Sequence, residues 1–159
     1  MDLTLIDHCD KLLGEVELYS TRTAKGHDVQ TFSRLQSVPG IGKIRALVIL
    51  YEIQDLARFP RVQDFVSYCR RVQCAKESAG KRHGLSGKKI GTPQLQWACS
   101  EAAVLFVRQH QPGQEYFAKL ARKHGKGKAL TVLAQKLARA VYSRLRRERP
   151  CELKRFVTP

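Results

Sequence analysis

Residues 28–53 read DVQTFSRLQSVPGIGKIRALVILYEI, and the turn Val38-Pro39-Gly40-Ile41-Gly42 at their centre decides the fold. Ahead of it, Val29, Phe32 and Leu35 recur at the spacing of one helix face. Behind it, Ile44, Leu47, Val48 and Tyr51 mark a second apolar helix. Gly40 and Gly42 let the backbone turn tightly between the two. They also expose amides where the second helix begins, and free N–H groups at a helix start attract anions. Lys43 adds a charge suited to a phosphate. An ordinary corner between helices would need the same glycines for the bend alone.

Two helices joined by Pro-Gly-Ile-Gly resemble the helix-hairpin-helix motif, whose contacts position a protein on the DNA backbone without reading sequence. The segments around this pair are also helical in pattern. A leader, DLTLIDHCDKLLGEVE, sets Leu5, Ile6, Cys9, Leu12, Leu13 and Val16 on one stripe. A lone amphipathic helix of that length is marginal in water, so it needs the body or another helix as partner. Ser20–Gly26 (STRTAKG) reads as a polar break. Downstream, RVQDFVSYCRR turns Val62, Phe65, Val66 and Cys69 inward. PQLQWACSEAAVLFVRQ opens with Pro93 at the first helical position and buries Leu95, Ala98, Cys99, Ala102, Leu105 and Phe106. Two further helices, about 114–123 and 129–147, follow, the second with Leu130, Leu133, Leu137, Val141 and Leu145 inward, and HGKGK (124–128) as a basic hinge. No strand of period two and useful length is visible, so the expected fold is all-α.

One stretch interrupts this pattern. KESAGKRHGLSGKKIG, residues 76–91, holds four glycines, two serines and five Lys or Arg against one acid. Charge is high throughout: +15 over 159 residues, with pI near 10. Residues 1–30 carry a net −3 and residues 31–159 a net +18. A basic body behind an acidic leader points to a polyanionic partner for the body and a different task for the leader. The five cysteines form no CxxC pair, and Cys69, Cys74 and His83 match no common zinc spacing. No apolar run reaches the roughly 18 residues of a membrane span, and Met1-Asp2 does not open a signal peptide. A reducing bacterial cytoplasm, with the nucleoid when DNA is bound, is the expected location.

Standard catalytic signatures are absent. Gly87-Lys88 is followed by Lys89 and has Arg82 where a phosphate-binding loop needs glycine; GxSxG and HExxH do not occur. The acids of the body show no two-metal spacing. A serine remains: Ser78 in Glu77-Ser78-Ala79-Gly80, flanked by Lys76, Lys81 and Arg82. A hydroxyl is a poor nucleophile at its ordinary pKa, but nearby cations would hold a phosphate and neutralise the charge developing on it. A flexible basic loop that only grips phosphates has the same composition.

The order of VPGIGKIRALVILYEIQDLARF, KESAGK, SGKKIGTPQLQWACSEAA and KHGKGKALTVLAQKLARAVYSRL is similar to the C-terminal domain of insertion-sequence one-ten group transposases, the bridge-RNA-guided DNA recombinases. The resemblance covers about residues 28–147. It implies a nucleophilic serine at Ser78, used for DNA strand cleavage and transfer. With the charge pattern and the turn's free amides, nucleic-acid contacts are expected at Gly40, Gly42, Lys43, Lys76, Lys81, Arg82, Ser86, Lys88, Lys89, Lys126 and Lys128. Residues 1–19 would end a coiled coil, 28–147 would form the serine-bearing domain, and 148–159 a flexible tail. The family's RuvC-like half, with four acids and magnesium, is missing from these residues, so no cofactor is expected within the chain. The KKIGTPQLQWA segment departs from the family's usual Lys-x-Gly-Asn and Leu-Arg at Pro93 and Gln96. Expected partners are DNA, a guide RNA, and a second copy or helix along residues 1–18, with no membrane. The competing readings are a non-catalytic nucleic-acid-binding module and an inactive transposase remnant.

Overall fold

A computed structural model describes residues 2–71, 74–78, 81–86 and 91–147. Six α-helices form the body: α1 (Asp2–Gln36), α2 (Lys43–Ile53), α3 (Val62–Tyr68), α4 (Pro93–Gln109), α5 (Gln111–His124) and α6 (Lys126–Arg147). A short 3-10 turn, Leu56–Arg58, links α2 to α3. The body is all-α as expected. Between α3 and α4, however, β1 (Cys74–Ser78) and β2 (Lys81–Ser86) pair antiparallel. This corrects the reading of that stretch as strandless loop. CAKES and KRHGLS lack an apolar alternation, and backbone pairing is what defines them as strands.

The core follows the apolar spacing closely. Phe32 and Leu35 of α1, Ala46 and Ile49 of α2, and Phe65 and Val66 of α3 are buried. They meet Leu95, Ala98, Ala102 and Phe106 of α4 and Leu133, Leu137 and Val141 of α6. α6 packs on α1, α3, α4, α5 and the 3-10 turn, while α4 packs on α2, α5 and α6. Thr92 caps α4, its Oγ1 accepting the Gln94 amide at 3.3 Å, with Pro93 behind it. Cys69 and Cys99 are buried free thiols in hydrogen-bond contact across α3 and α4. That hydrogen bond, with burial, pushes the Cys69 thiol well up, and its side chain packs as a small apolar group.

Several expectations at element ends are corrected. Ser20–Gly26 is helical rather than a break. Thr21 and Thr23 donate their hydroxyls to the carbonyls of Glu17 and Tyr19, four residues back, which keeps polar side chains inside a helix. The chain departs from helical geometry later, at Asp28 (φ −155°, ψ 78°). There the carboxylate accepts the Thr31 amide at 2.9 Å and starts the second half of α1 as an N-cap. Val29, Ile44 and Tyr51 are exposed rather than inward, and Leu105, Leu130 and Leu145 are half-buried. The hinge expected at 124–128 shrinks to Gly125, with α5 ending at His124 and α6 starting at Lys126. Residues 148–159, expected to be a tail, lie outside the described residues.

Gly40 is fixed by both conformation and packing. Its φ is +79°, and a Cβ there would come within 2.1 Å of the Ala102 carbonyl oxygen on α4. Gly40→Ala should therefore cost more than about 2 kcal/mol, read as a lowered midpoint in urea; an unchanged midpoint would place the turn away from α4. A second expectation concerns Asp28. The hydrogen bonds from Thr31 hold its carboxyl below the ordinary range. A depressed folded pKa stabilises above the unfolded value and is lost as pH falls through the folded one. Asp28→Ala should cost about 1 kcal/mol at neutral pH, and that difference should vanish in acid denaturation titrations.

Candidate nucleic-acid interface

The α1–α2 turn is built from Ser37 to Gly42. Val38 and Ile41 bury their side chains, and the Ile41 amide donates to the Val38 carbonyl at 3.1 Å. Gly42 is the N-cap of α2 with extended backbone and no side-chain cap, and the first turn of α2 holds no acid. Its opening amides therefore face no carboxylate of their own turn, and Lys43 beside them is exposed. Arg45 was not anticipated: its Nε donates to the Gly40 carbonyl at 2.9 Å, keeping a guanidinium against the turn. A groove of about 360 Å³ runs here, lined by Pro39, Gly40, Gly42, Arg45 and His110 among others. Of the two glycines, Gly40 is accounted for by its seat on α4, and Gly42 by the helix start.

The hairpin is the second component. Cys74 pairs with Ser86, Ala75 with Leu85, Glu77 with Arg82 and Ser78 with Lys81, and the ladder is irregular between Ala75 and Glu77, at Lys76. Ser78 thus ends β1 on the same rung as Lys81. Its neighbour on the strand shares a rung with Arg82. Lys88 and Lys89 lie outside the described residues.

The base of this hairpin is tightly held. The Thr92 amide donates to the Tyr68 carbonyl at 3.1 Å, and Arg70 Nε donates to the Gly91 carbonyl at 3.0 Å. Gly91 has φ +94°, and a Cβ would reach the same Tyr68 oxygen within 2.1 Å. The Arg71 guanidinium donates to the Gln96 carbonyl and the Ser100 hydroxyl of α4, and its burial lowers its pKa. The segment therefore leaves the body after Arg71 and returns at Gly91 across a closed neck. The doublet Arg70-Arg71 immediately before the Gly-rich stretch was the available sequence signal for this neck.

Lys126 and Lys128 lie exposed in the first turn of α6, beyond the basic last turn of α5, Arg122 to His124. One helix relates the neck and the turn. The neck meets α4 at its N-terminus, and the α1–α2 turn meets it at Ala102, nine residues after Pro93, a separation of about 13 Å along the axis. Among the described residues, no group of three or more His, Cys, Asp or Glu could hold a metal ion. Nor is any described helix long and apolar enough to cross a membrane.

Residues 32–118 match the family described as transposase, IS116/IS110/IS902 family. Among curated proteins, none matches the chain significantly. The matched span runs from the buried Phe32 of α1 through the Gly40 turn, the Ser78 hairpin and all of α4 into α5. With more than half of its residues inside that match, the chain belongs to the IS116/IS110/IS902 family of transposases, which act in transposition and engage DNA.

Proposed function

We propose that the chain is the DNA-binding, serine-bearing C-terminal part of such a transposase, with Ser78 as the nucleophile that cuts and transfers a strand. The observation that supports this reading is the ladder register. Ser78 stands opposite Lys81, and Glu77 opposite Arg82, on a hairpin whose neck is locked to α3 and α4. A nucleophile on a strand end keeps a defined position relative to its cations, which a free loop would not provide.

In the step itself, Ser78 Oγ forms a bond to a backbone phosphorus while the P–O bond to one deoxyribose breaks. The serine proton ends on the released sugar hydroxyl. One phosphate ester replaces another, so the linkage remains available for rejoining without ATP. Lys76, Lys81 and Arg82 stabilise the charge that accumulates on the phosphoryl oxygens. The turn amides at Gly42 and Lys43, with Lys126 and Lys128, contact backbone phosphates elsewhere and set the register on DNA. A guide RNA would use the same basic surfaces. The four acids and magnesium of a RuvC-like domain would come from outside these residues.

Ser78→Ala should leave DNA affinity within about twofold and abolish covalent protein–DNA adducts once a RuvC-like domain is supplied by fusion or in trans. Adducts that survive Ser78→Ala but disappear with Ser86→Ala would move the nucleophile to Ser86. Adducts insensitive to both would leave the hairpin as a basic grip, the non-catalytic alternative.

The leader carries a separate part of this proposal. Leu5, Leu12, Val16 and Tyr19 are exposed along α1, and an apolar groove lined by Val16, Ile44, Leu47, Val48 and Tyr51 continues that stripe onto α2. We assign it to a second helix, as at the end of a coiled coil. Light scattering should find a self-associated species that becomes monomeric when residues 1–18 are deleted; a monomer in both cases would remove the idea.

A further inference from the structure

Three arginines gather on a face that neither the sequence motifs nor the family match assigns. Arg139 and Arg146 lie seven residues apart on α6, and both are exposed. Arg139 Nη2 donates to Gln63 Oε1 at 3.4 Å, and Arg146 Nη1 donates to the Pro60 carbonyl at 2.6 Å. Arg58, also exposed, donates to the Ile53 carbonyl at 3.4 Å and lies 5.5 Å from the ring centroids of Phe59 and Tyr68.

The acceptors are what make this face unusual. Each of the three guanidiniums is held by a carbonyl or amide oxygen, which fixes its position and leaves its full charge. Arg61 beside them is the contrast: Asp64 accepts from both its Nε and its Nη2, so its charge is answered. A guanidinium that is oriented but not neutralised has lost side-chain entropy in advance and retains donors for a phosphate. The spacing suits a nucleic-acid backbone. Seven residues of helix separate Arg139 and Arg146 by about 10 Å, close to three base-pair steps of about 3.4 Å each. The face is also continuous with the hairpin neck. Tyr68, under the Arg58 guanidinium, is the residue whose carbonyl closes the neck against Thr92.

We propose that Arg58, Arg139 and Arg146 form a second phosphate-contact face, occupied by the backbone of the duplex DNA whose strand reaches the Ser78 hairpin. This rests on the DNA-binding reading above and extends it: the duplex runs along α6 and the 3-10 turn as well as along the glycine turn. The hydrogen bonds to Gln63 and Pro60 make these arginines positioning groups for the duplex, while reaction belongs to the hairpin.

The test is equilibrium binding of the full chain to a fluorescent 20-base-pair duplex over a range of salt. Arg139→Gln with Arg146→Gln should weaken binding tenfold to hundredfold and reduce the salt slope by about 1.8, two phosphate contacts of about 0.9 each. Lys11→Gln with Arg22→Gln, an equal charge loss on the leader, should leave the slope unchanged. Arg139→Lys with Arg146→Lys should restore the slope, and it keeps the proposal testable if the glutamine pair folds poorly by circular dichroism. A slope that the glutamine pair changes no more than the leader pair does overturns this inference and leaves the DNA-binding reading standing. A wild-type chain that binds no duplex overturns both. Loss confined to an RNA duplex of the same sequence overturns the assignment to DNA.

Discussion

The carbonyl of Ala102 lies where any side chain on residue 40 would have to begin. That single close approach sets the α1–α2 turn on the middle of α4, where Ala102 presents no side chain beyond a methyl group. The hairpin neck and α5 are attached to the same helix. Its N-terminus, capped by Thr92, receives the hairpin neck through Gly91 and Arg71, and its far end hands the chain to α5 at His110. The two close glycines act alike: each brings backbone against backbone where a methyl group would force the elements apart. The glycine turn and the hairpin neck therefore keep a fixed separation, because a rigid helix measures it.

Much of this was legible in the sequence, for a definite reason. Core positions repeat with the helix period, so Phe32, Leu35, Phe65, Leu95, Phe106, Leu133 and Leu137 identify both helix and inward face. The expected start at Pro93 is found there, because a ring that lacks an amide proton belongs at the first turn. The misreadings fall where local signals compete. STRTAKG looks like a break, yet its threonines return their hydroxyls to the helix and the chain bends later at Asp28. The strands were invisible because CAKES and KRHGLS carry no apolar period. Composition revealed the basic segment but not its ladder, and so could not show that Ser78 shares a rung with Lys81.

The site was legible to the same uneven degree. Residue types in order, PGIG then ESAG then the closing helix, lead to the family that residues 32–118 match. The residues that hold the machinery in place were not visible in that order. Arg45, Arg70 and Arg71 act through backbone carbonyls of Gly40, Gly91 and Gln96, and a carbonyl acceptor leaves no trace in residue type. A charge pattern read along the chain counts these arginines as generic basicity. Only their carbonyl acceptors show that they hold one element against another.

That distinction bears on how a chain of net +15 stays folded. Self-repulsion at this charge opposes compaction, and the fourteen acids cannot answer twenty-nine cations. Carbonyl oxygens at element ends take part of the load: Gly40, Ile53, Pro60, Gly91 and Gln96 each receive a guanidinium. These bonds orient the arginines and lower the cost of concentrating them, yet they do not cancel the charge. Salt screens part of the remaining repulsion and a polyanion relieves more of it, and a ligand that binds the folded state alone raises its stability by mass action. Charge that is costly to fold in isolation thereby becomes affinity for a polyanion.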